Sequence, residues 1–457
     1  MKLKRRTFLR HAGALVGTAA LGQLGMLASR SAAGAESTDY KAIVCVYLCG
    51  GNDGNNVLVP IDSVGYASYS QYRGALALPR ASLLPLAESG GAAGYGLHSA
   101  LPGMQSLWNK GNLAVVANVG TLVQPLTRAQ YRGGAAQAPD CLFSHIDQQR
   151  QWESSSSSSL LDSGLSASGW GGRLADQLAG LNANASVPAM ISTAGTNLFV
   201  TGASSGALVI PSGGSFGLND FSTSTADVAR HNALTQLLSV DTNANLILAA
   251  QNVMTGALAN SATLNPILTA QNGVAASHFK SLSTNFSQQL LAIAKVIEAR
   301  SSLGARRQVF LVQLGSFDTH TNQLSQHQSL LSQLDDGLTA FHSAMADIGA
   351  GSSVTSFTLS DFGRTYTPNS NGGSDHAWGN HHLVAGGAVK GGKIYGSVPS
   401  LVPGGPDDAD TKGRWIPTIA VDQYAATLGA WLGVGATQLA AALPNLSAFT
   451  PGSIGFI

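Results

Sequence analysis

The stretch "KAIVCVYLCGGNDGNN", Lys41–Asn56, predicts a buried β-strand that runs into a glycine turn. Three further apolar runs, each bounded by glycine or polar residues, occur along the chain: "NLAVVANVG" (Asn112–Gly120), "QVFLVQLG" (Gln308–Gly315) and "SVTSFTL" (Ser353–Leu359). Short apolar runs of this kind are typical of parallel strands that are covered on both faces. The four runs therefore predict the centre of a mainly parallel sheet.

Helical patterns separate these predicted strands. They occupy 101–111 before the second strand, Gln288–Arg300 before the third, and 330–345 between the third and the fourth. Alternating strands and helices favour an α/β fold, so we predict a three-layer α/β sandwich with a mainly parallel central sheet. The region 182–285 is rich in Ser, Asn, Thr and Ala. It predicts a partly helical cap inserted into a single domain that spans 36–457.

The composition is that of a globular protein with few charges. Of the 457 residues, 44% are hydrophobic and 11% are charged, which provides enough apolar material for a large core. No run of about eighteen strongly apolar residues occurs, so we expect no transmembrane helix in the mature protein. The three cysteines, Cys45, Cys49 and Cys141, form no CxxC pair. A disulfide between Cys49 and Cys141 stays open as an alternative.

The first 35 residues predict a targeting segment rather than part of the fold. "KRRTFLR" (Lys4–Arg10) contains a twin-arginine pair, the weakly apolar stretch Ala12–Ala28 follows, and cleavage is expected after Ala35. This order resembles a twin-arginine (Tat) signal. It implies the Tat translocase as a partner during export and a periplasmic or secreted mature protein. The alternative interpretation is an N-terminal helix or membrane anchor.

Removal of that segment changes the charge balance of the chain. Six of the 25 basic residues lie in residues 1–35, which leaves 19 basic against 24 acidic residues and a net charge near −5. Nucleic-acid binding requires a basic footprint, and the mature sequence has none. We therefore exclude nucleic acid as a partner and expect no affinity for a polyanion.

Polar residues follow three of the predicted strands at the point where each strand ends. Asp53 follows the first strand, Asp318 and His320 follow the third, and Asp361 follows the fourth. Binding sites of open α/β sheets form outside the carboxyl ends of the strands, so these side chains are expected to converge. Six of the eleven histidines also lie between His320 and His382. Carboxylates and imidazoles suit Zn²⁺ or Mn²⁺; the alternative is a histidine-rich polar surface.

These motifs resemble the metal-binding order of the alkaline phosphatase–sulfatase–phosphoglycerate mutase superfamily. The shared features are "NDG" after a first strand, "FDTH", "SDF" after a late strand, and a following "DH". The C-terminal "VDQYAATLGAWLGV" is similar to a helix that those proteins have near their end. More closely, residues 40–440 resemble the domain-of-unknown-function 1501 family through "GGNDGNN", "SHIDQQRQWE", "GSFDTHTNQ", "SDFGRT", "DHAWGNHH" and "GGAVKGGKIYG". The resemblance implies an alkaline phosphatase-like fold.

The resemblance also implies a set of metal ligands, matched position by position. The set holds one or two divalent ions (Zn, Mn, Mg or Ca), and its members are Asp53, Asp318, His320, Asp361, His376 and His382. His376 is the late histidine, with Asp375, His381 or His382 as possible replacements. The superfamily has a histidine after the second-ion acid, whereas this chain has Phe362 there. That departure removes one ligand of a two-ion site.

Two further residues match catalytic positions of the superfamily. Ser144, in "DCLFSHIDQQRQWE", stands where a nucleophile at a helix start is expected, although a serine there is also a common N-cap. Arg364 in "SDFGRT" stands where it either clamps a substrate oxygen or pairs with a structural acid. Together the residues imply a metal-dependent hydrolase of a small phosphate or sulfate ester. The alternative is a non-catalytic envelope binding or assembly protein with a degenerate metal site.

Overall fold

The computed structural model of the protein describes residues 39–87, 94–134, 136–156, 167–218 and 223–457. The predicted targeting segment, residues 1–35, lies outside the described residues. The strands are β1 (Lys41–Leu48), β2 (Leu58–Pro60), β3 (Leu84–Pro85), β4 (Tyr95–Leu97), β5 (Leu113–Gly120), β6 (Met190–Ser192), β7 (Leu208–Val209), β8 (Arg307–Leu314), β9 (Val354–Ser360), β10 (Asn380–Ala385), β11 (Lys393–Tyr395) and β12 (Ile419–Ala420).

The α-helices occupy the connections between the strands, as the alternation of patterns predicted. They are α1 (Gly54–Val57), α2 (Ser63–Arg73), α3 (Pro102–Asn109), α4 (Arg128–Gly133), α5 (His145–Ser154), α6 (Trp170–Gln177), α7 (Thr225–Leu238), α8 (Asn245–Thr269), α9 (Val274–Ser277), α10 (Asn285–Glu298), α11 (Gln323–Asp347), α12 (Val421–Leu432) and α13 (Ala436–Ala442).

The central sheet is mixed and mostly parallel, which confirms the predicted fold class. Within the described ranges it has nine strands in the order β11-β5-β10-β9-β1-β8-β6-β7, with β12 also paired to β5. The antiparallel pairings are those that β10 makes with β5 and β9. The short strands β2, β4 and β3 form a separate three-stranded sheet.

Strand β1 lies in the middle of the sheet and sets the register of its two neighbours. Its last residue, Leu48, stands opposite Leu314 of β8 and opposite Ser360 of β9. All three strands run in the same direction, so their carboxyl ends lie side by side. The polar loops that follow them are thereby brought to one edge of the sheet, as the sequence predicted.

Both faces of the sheet are covered, because side chains alternate between the two faces along each strand. Val44 and Val46 of β1 belong to a core that helices α3, α10 and α11 complete. Ile43 and Tyr47 belong to a second core that α6 and α12 complete. Each fully buried aliphatic side chain of these cores contributes about 1.5–3 kcal/mol. The arrangement is a three-layer sandwich of helix, sheet and helix.

The region predicted as an inserted cap, 182–285, is divided between the sheet and a helical part. Strands β6 and β7 lie in it and extend the central sheet beyond β8. Helices α7, α8 and α9 form its helical part. Over the described ranges, the structure contains no helix that combines the length and the apolar character needed to cross a membrane. Cys45, Cys49 and Cys141 are free thiols, so the alternative Cys49–Cys141 disulfide is absent.

Candidate metal centre

The candidate centre lies at the carboxyl ends of β1, β8 and β9. Asp361 directly follows β9, Asp318 lies in the loop after β8, and His376 precedes β10. Because β10 runs against its neighbours, the start of β10 is at the same edge of the sheet as their ends. Helix α5 begins at this edge, and its first residue is His145.

Three imidazole nitrogens lie around one carboxylate oxygen, which gives four candidate donor atoms. Oδ1 of Asp318 lies 3.0 Å from Nε2 of His320 and 3.4 Å from Nε2 of both His145 and His376. The Nε2 atoms of His320 and His376 are 2.9 Å apart. A tetrahedral ion with bonds of about 2.0–2.1 Å requires donors spaced about 3.3–3.4 Å apart. The donor atoms of His145, Asp318 and His376 all lie within 4.8 Å of one another, close enough to hold a metal ion, and His320 lies beside them.

Hydrogen bonds on the far side of the rings fix which nitrogen points into the centre. Nδ1 of His145 lies 2.7 Å from Oδ2 of Asp361, whose Oδ1 accepts from the Tyr47 hydroxyl at 2.6 Å and from the Gly50 amide at 3.0 Å. Nδ1 of His145 must be the donor in this pair, since the carboxylate has no hydrogen to give. In a neutral ring Nε2 then holds a lone pair directed at the centre.

His376 is oriented in the same way by a backbone group. Its Nδ1 donates to the carbonyl of Phe143 at 2.7 Å, so Nε2 again presents a lone pair when the ring is neutral. Phe143 has φ +73°, a backbone conformation that is unfavourable for a bulky residue. The loop before α5 holds this conformation while it presents both the carbonyl and His145. The guanidinium of Arg364 pairs with the same Asp318 oxygen, and the nitrogen lone pairs of the two rings lie beside it, a donor set that suits a divalent metal ion.

The electrostatics of the centre follow from its partners. The hydrogen bond with Asp361 raises the pKa of His145, against an opposing effect of burial. Burial lowers the pKa of His376. Burial alone would raise the pKa of Asp318, but the hydrogen bond and charge of Arg364 outweigh it and hold that pKa below its usual value. The ligand side chains are 24 to 46% exposed, so the centre is open to a substrate from one side.

Arg364 is fully buried beneath the centre rather than facing a substrate. Its guanidinium donates to the carbonyls of Gly51, Ser374 and Gly50 at 3.0, 2.8 and 2.7 Å, and it also pairs with Asp318. With these donors occupied by the protein, the placement matches the second of the two roles considered for Arg364, a pair with an acid. Its charge holds the Asp318 side chain in place.

Asp53 is not brought into the four-donor centre. Its buried carboxylate pairs with the guanidinium of Arg73 and accepts from Gln323 Nε2 at 2.5 Å and from Asn55 Nδ2 at 3.2 Å. The side chains of Asp53 and Arg73 are both 0% exposed. A guanidinium therefore occupies the position beside Asp53 where the resemblance implied a metal ion.

Two other implied ligands also have different surroundings. Asp361 contacts the centre through His145, because its Oδ2 is bound to Nδ1 of that ring. His382 is buried in β10, where Nδ1 lies 3.2 Å from Thr358 Oγ1 and the ring packs on Trp152 at 4.8 Å. Burial lowers the pKa of His382 to about 3, so the ring stays neutral. The structure does not bring His382 to the four donors.

Phe362, which stands where the resemblance implied a histidine, forms a wall of the centre. Its ring stacks on His376 at 4.6 Å and packs on His145 at 4.7 Å. These contacts fix both imidazole planes and keep water from their faces. The residue that the sequence marked as a lost ligand therefore supports two of the ligands that remain.

Ser144 is the N-cap residue of α5 and lies next to His145. Its hydroxyl donates to Oδ2 of Asp147 at 2.6 Å and makes no capping bond to the helix backbone. A carboxylate that accepts this hydrogen bond is also suited to accept the hydroxyl proton. The placement leaves Ser144 as a candidate nucleophile.

His145 is the ligand that sequence reasoning missed. It lies in "SHIDQQRQWE", where the resemblance implies a role only for the neighbouring Ser144. A histidine directly beside a candidate nucleophile at a helix start was the available signal. Its partners Asp318 and Asp361 lie 173 and 216 residues away along the chain, so the contact itself depends on the tertiary fold.

Several solved structures are similar to this chain at a low level. A sulfatase from Pseudoalteromonas sp. (PsFucS1) is 12% identical, with 95% of this chain and 73% of that chain covered and a TM-score of 0.36. The C-terminal periplasmic domain of EcEptC from Escherichia coli, in complex with Zn, is 10% identical over 77% of this chain and 74% of that chain, with a TM-score of 0.32. TM-scores this low support no argument about activity.

The sequence comparisons are more specific about the family. No curated protein matches the chain at a significant level. The family model described as "Protein of unknown function (DUF1501)" matches residues 40–408, which include all four donors of the candidate centre. The match covers most of the chain, and the protein belongs to the DUF1501 family.

Proposed function

We propose that the protein is an exported, metal-dependent hydrolase of a phosphate or sulfate ester. The observation that supports the proposal is the convergence of Asp318 Oδ1 with the Nε2 atoms of His145, His320 and His376. The guanidinium of Arg364 already pairs with Asp318 Oδ1, so the support for a metal ion comes from the imidazole nitrogens that lie beside that oxygen. A bound divalent cation would give these residues a common role.

The donor set favours one ion with an affinity for nitrogen. Three imidazoles and one carboxylate suit Zn²⁺ or Mn²⁺ and related transition metals, whereas Mg²⁺ and Ca²⁺ prefer oxygen ligands. Asp53 is occupied by Arg73 and Gln323, so it has no free oxygen for a second ion. The proposed centre therefore holds a single transition metal ion.

The chemistry divides between the ion and the protein. A bound ion would supply Lewis-acid polarisation of an ester oxygen. Ser144, whose hydroxyl already donates to Asp147, is the proposed nucleophile. Asp147 would accept the proton as Oγ bonds to phosphorus or sulfur, while the ester bond breaks and the alcohol leaves with the bonding electron pair and takes up a proton. Water would then hydrolyse the seryl ester and restore the Ser144 hydroxyl. The start of the ten-residue helix α5 directs its positive dipole end toward the negative charge that develops.

The metal assignment is tested on protein purified after export. We expect about one equivalent of a transition metal by elemental analysis, and turnover of 4-nitrophenyl phosphate or 4-nitrophenyl sulfate that a chelator abolishes. His145→Ala should lose the metal, whereas His231→Ala, at an exposed histidine of α7, should retain it. Wild-type protein without metal, and with no affinity for added Zn²⁺ or Mn²⁺, would contradict the proposal.

A second candidate function is a binding or assembly role on the same fold. The observation in its favour is that Arg73 and Arg364 are fully buried and paired with acids, and that Arg414, which donates to the His376 carbonyl at 2.8 Å, is paired with Asp410. A hydrolase of an anionic ester commonly uses an exposed cationic donor to hold the substrate. Protein that binds one metal ion but turns over no ester would favour this role.

A further inference from the structure

The loop 404–415 lies against the candidate metal centre and is ordered by one buried carboxylate. Asp408 is fully buried, and its two carboxylate oxygens accept four backbone hydrogen bonds of 2.8 to 3.0 Å from within the loop. The donors are the amides of Gly404, Asp410, Gly413 and Arg414. Hydrogen bonds to a charged acceptor are stronger than those between neutral groups. The loop therefore holds its side chains in defined positions next to the centre.

Arg414 connects this loop to the backbone of His376. Its Nε donates to the carbonyl of His376 at 2.8 Å, and its Nη1 donates to Oδ2 of Asp410 at 2.9 Å. The guanidinium also lies over the ring of Phe143, 4.4 Å from the ring centroid. A guanidinium is flat and its donors are fixed in one plane, so a single arginine can keep all of these contacts at once.

The contacts of Arg414 fall on both partners of the hydrogen bond that orients His376. Nδ1 of His376 is the donor of that bond and the carbonyl of Phe143 is its acceptor, at 2.7 Å. Phe143 has φ +73°, and a backbone conformation of this kind persists only where the surrounding structure imposes it. Arg414 contacts the backbone of the donor residue and the ring of the acceptor residue, so it holds the two against each other.

We propose that Arg414 is a positioning residue of the metal centre, which keeps Nε2 of His376 directed at Asp318 by holding His376 against Phe143. The proposal rests on the metal-dependent function proposed above, and Arg414 acts in it through His376 rather than on the substrate. Without the guanidinium, the Phe143 carbonyl is free to withdraw from Nδ1. The neutral ring of His376 would then exchange between its two tautomers and would present a hydrogen to the centre for part of the time.

The charge of Arg414 and its contacts have opposite effects on metal binding. A positive charge repels a cation in the centre, so removal of the charge by itself would strengthen metal binding. Loss of the contacts weakens it, because groups that orient a ligating histidine are typically worth about 10–100-fold in metal affinity. Lys412, the other cation of the loop beside the centre, is 55% exposed and lies 3.7 Å from Asp375, and an ion pair so exposed contributes little.

The test compares Arg414→Met with a matched arginine that makes the same kinds of contact elsewhere. Nε of Arg80 donates to the carbonyl of Ile61 at 2.8 Å, and its guanidinium lies over the ring of Tyr66 at 5.9 Å. Competition with a chromogenic chelator measures the affinity of the purified protein for Zn²⁺. Arg414→Met is expected to bind Zn²⁺ at least about 10-fold more weakly than the wild type. Arg80→Met should bind it with the affinity of the wild type.

A second measurement reads the tautomer of His376 and needs no metal. In protein labelled with ¹⁵N-histidine and freed of metal by a chelator, the nitrogen chemical shifts at alkaline pH show which ring nitrogen holds the hydrogen. The signals of His376 are those that disappear in His376→Gln. The wild type and Arg80→Met should have the hydrogen on Nδ1, whereas Arg414→Met should give a mixture of the two tautomers.

An unchanged His376 tautomer in Arg414→Met would overturn the proposal, and so would tighter binding of Zn²⁺, which would leave only the effect of charge. Circular dichroism shows whether each variant is folded. If Arg414→Met does not fold, Arg414→Lys takes its place with the same expected results, because lysine keeps the charge but cannot reproduce the contacts of the flat guanidinium. A wild type that binds no Zn²⁺ would contradict the proposed function, and the tautomer of His376 would still decide the role of Arg414.

Discussion

Nδ1 of His145 lies 2.7 Å from Oδ2 of Asp361, and this hydrogen bond joins the start of helix α5 to the end of strand β9. It determines the tautomer of His145 and directs Nε2 toward Asp318. Asp361 is in turn held by the hydroxyl of Tyr47 and the amide of Gly50. The acid that the sequence implied as a ligand therefore acts on the proposed metal through the histidine that it orients.

Loss of the Asp361 carboxylate charge should weaken metal binding without removing a ligand. Asp361→Asn is expected to reduce the affinity for Zn²⁺ about 10–100-fold, as is usual when the partner of a ligating histidine is replaced. Competition with a chromogenic chelator measures the change. Asp147→Asn is the control, because Asp147 lies on the same helix as His145 but is bonded to Ser144. This variant should bind Zn²⁺ with the affinity of the wild type. Unchanged affinity in Asp361→Asn would show that the orientation of His145 has no effect on the metal.

Ser144→Ala should abolish turnover and leave the metal in place. The hydroxyl bonds to Asp147 and makes no capping bond, so its removal should cost less than the roughly 1 kcal/mol usual for an N-cap. Steady-state assays on aryl phosphate and aryl sulfate, elemental analysis and a thermal melt of the same preparation check the three parts. Retained turnover would exclude Ser144 as the nucleophile and favour direct attack by water.

The buried pair of Asp53 and Arg73 should be structural. Arg73→Met leaves a buried carboxylate without its partner, and we expect it to lower the free energy of unfolding by about 3–5 kcal/mol. The double variant Asp53→Asn/Arg73→Met should recover a large part of that loss, because no unpaired charge remains. Urea unfolding of the wild type, the two single variants and the double variant gives the coupling free energy between Asp53 and Arg73. If Asp53→Asn alone also removes the metal, Asp53 is a ligand after all.

The buried Glu153 should make stability depend on pH. Burial raises its pKa to about 7 against the bonds from Gln149 and Asn197. Since the folded value exceeds the unfolded value of about 4.3, its contribution is complete below pH 4.3 and is lost as the pH rises through 7. Glu153→Gln should therefore gain stability relative to wild type over that interval, on the order of 3 kcal/mol. A difference between the two unfolding curves that does not change with pH would contradict this.

The twin-arginine interpretation of residues 1–35 makes a separate prediction. The double variant Arg5→Lys/Arg6→Lys should leave the precursor in the cytoplasm, because the pathway requires the arginine pair. Cell fractionation and immunoblotting measure the distribution. Arg10→Lys, outside the pair, is the control and should be exported. Normal export of the double variant would exclude the Tat route.

The layered fold was predictable from local patterns in the chain. The apolar runs at Lys41–Leu48 and Arg307–Leu314 are the adjacent central strands β1 and β8. Their lengths and apolar continuity indicate strands buried on both faces, since both layers of helices exclude water. Strands β6 and β7, by contrast, have only three and two residues. They are too short to show an apolar pattern of their own and form by pairing with β8 and with each other. The sequence therefore did not distinguish them from the predicted cap.

The sequence by itself determined which residue types meet at the carboxyl edge of the sheet, because parallel strands deliver the residues that follow them to one place. Asp318, His320, Asp361 and His376 were predicted on that ground or by resemblance. Only the tertiary structure decided the distances among them and the part that each one has. His145 joins the centre from a distant helix start, and Arg73 neutralises Asp53. Both contacts depend on the packing of segments that are far apart in the chain. Small differences in the distances between their side chains decide whether a residue is a metal ligand or part of a structural ion pair.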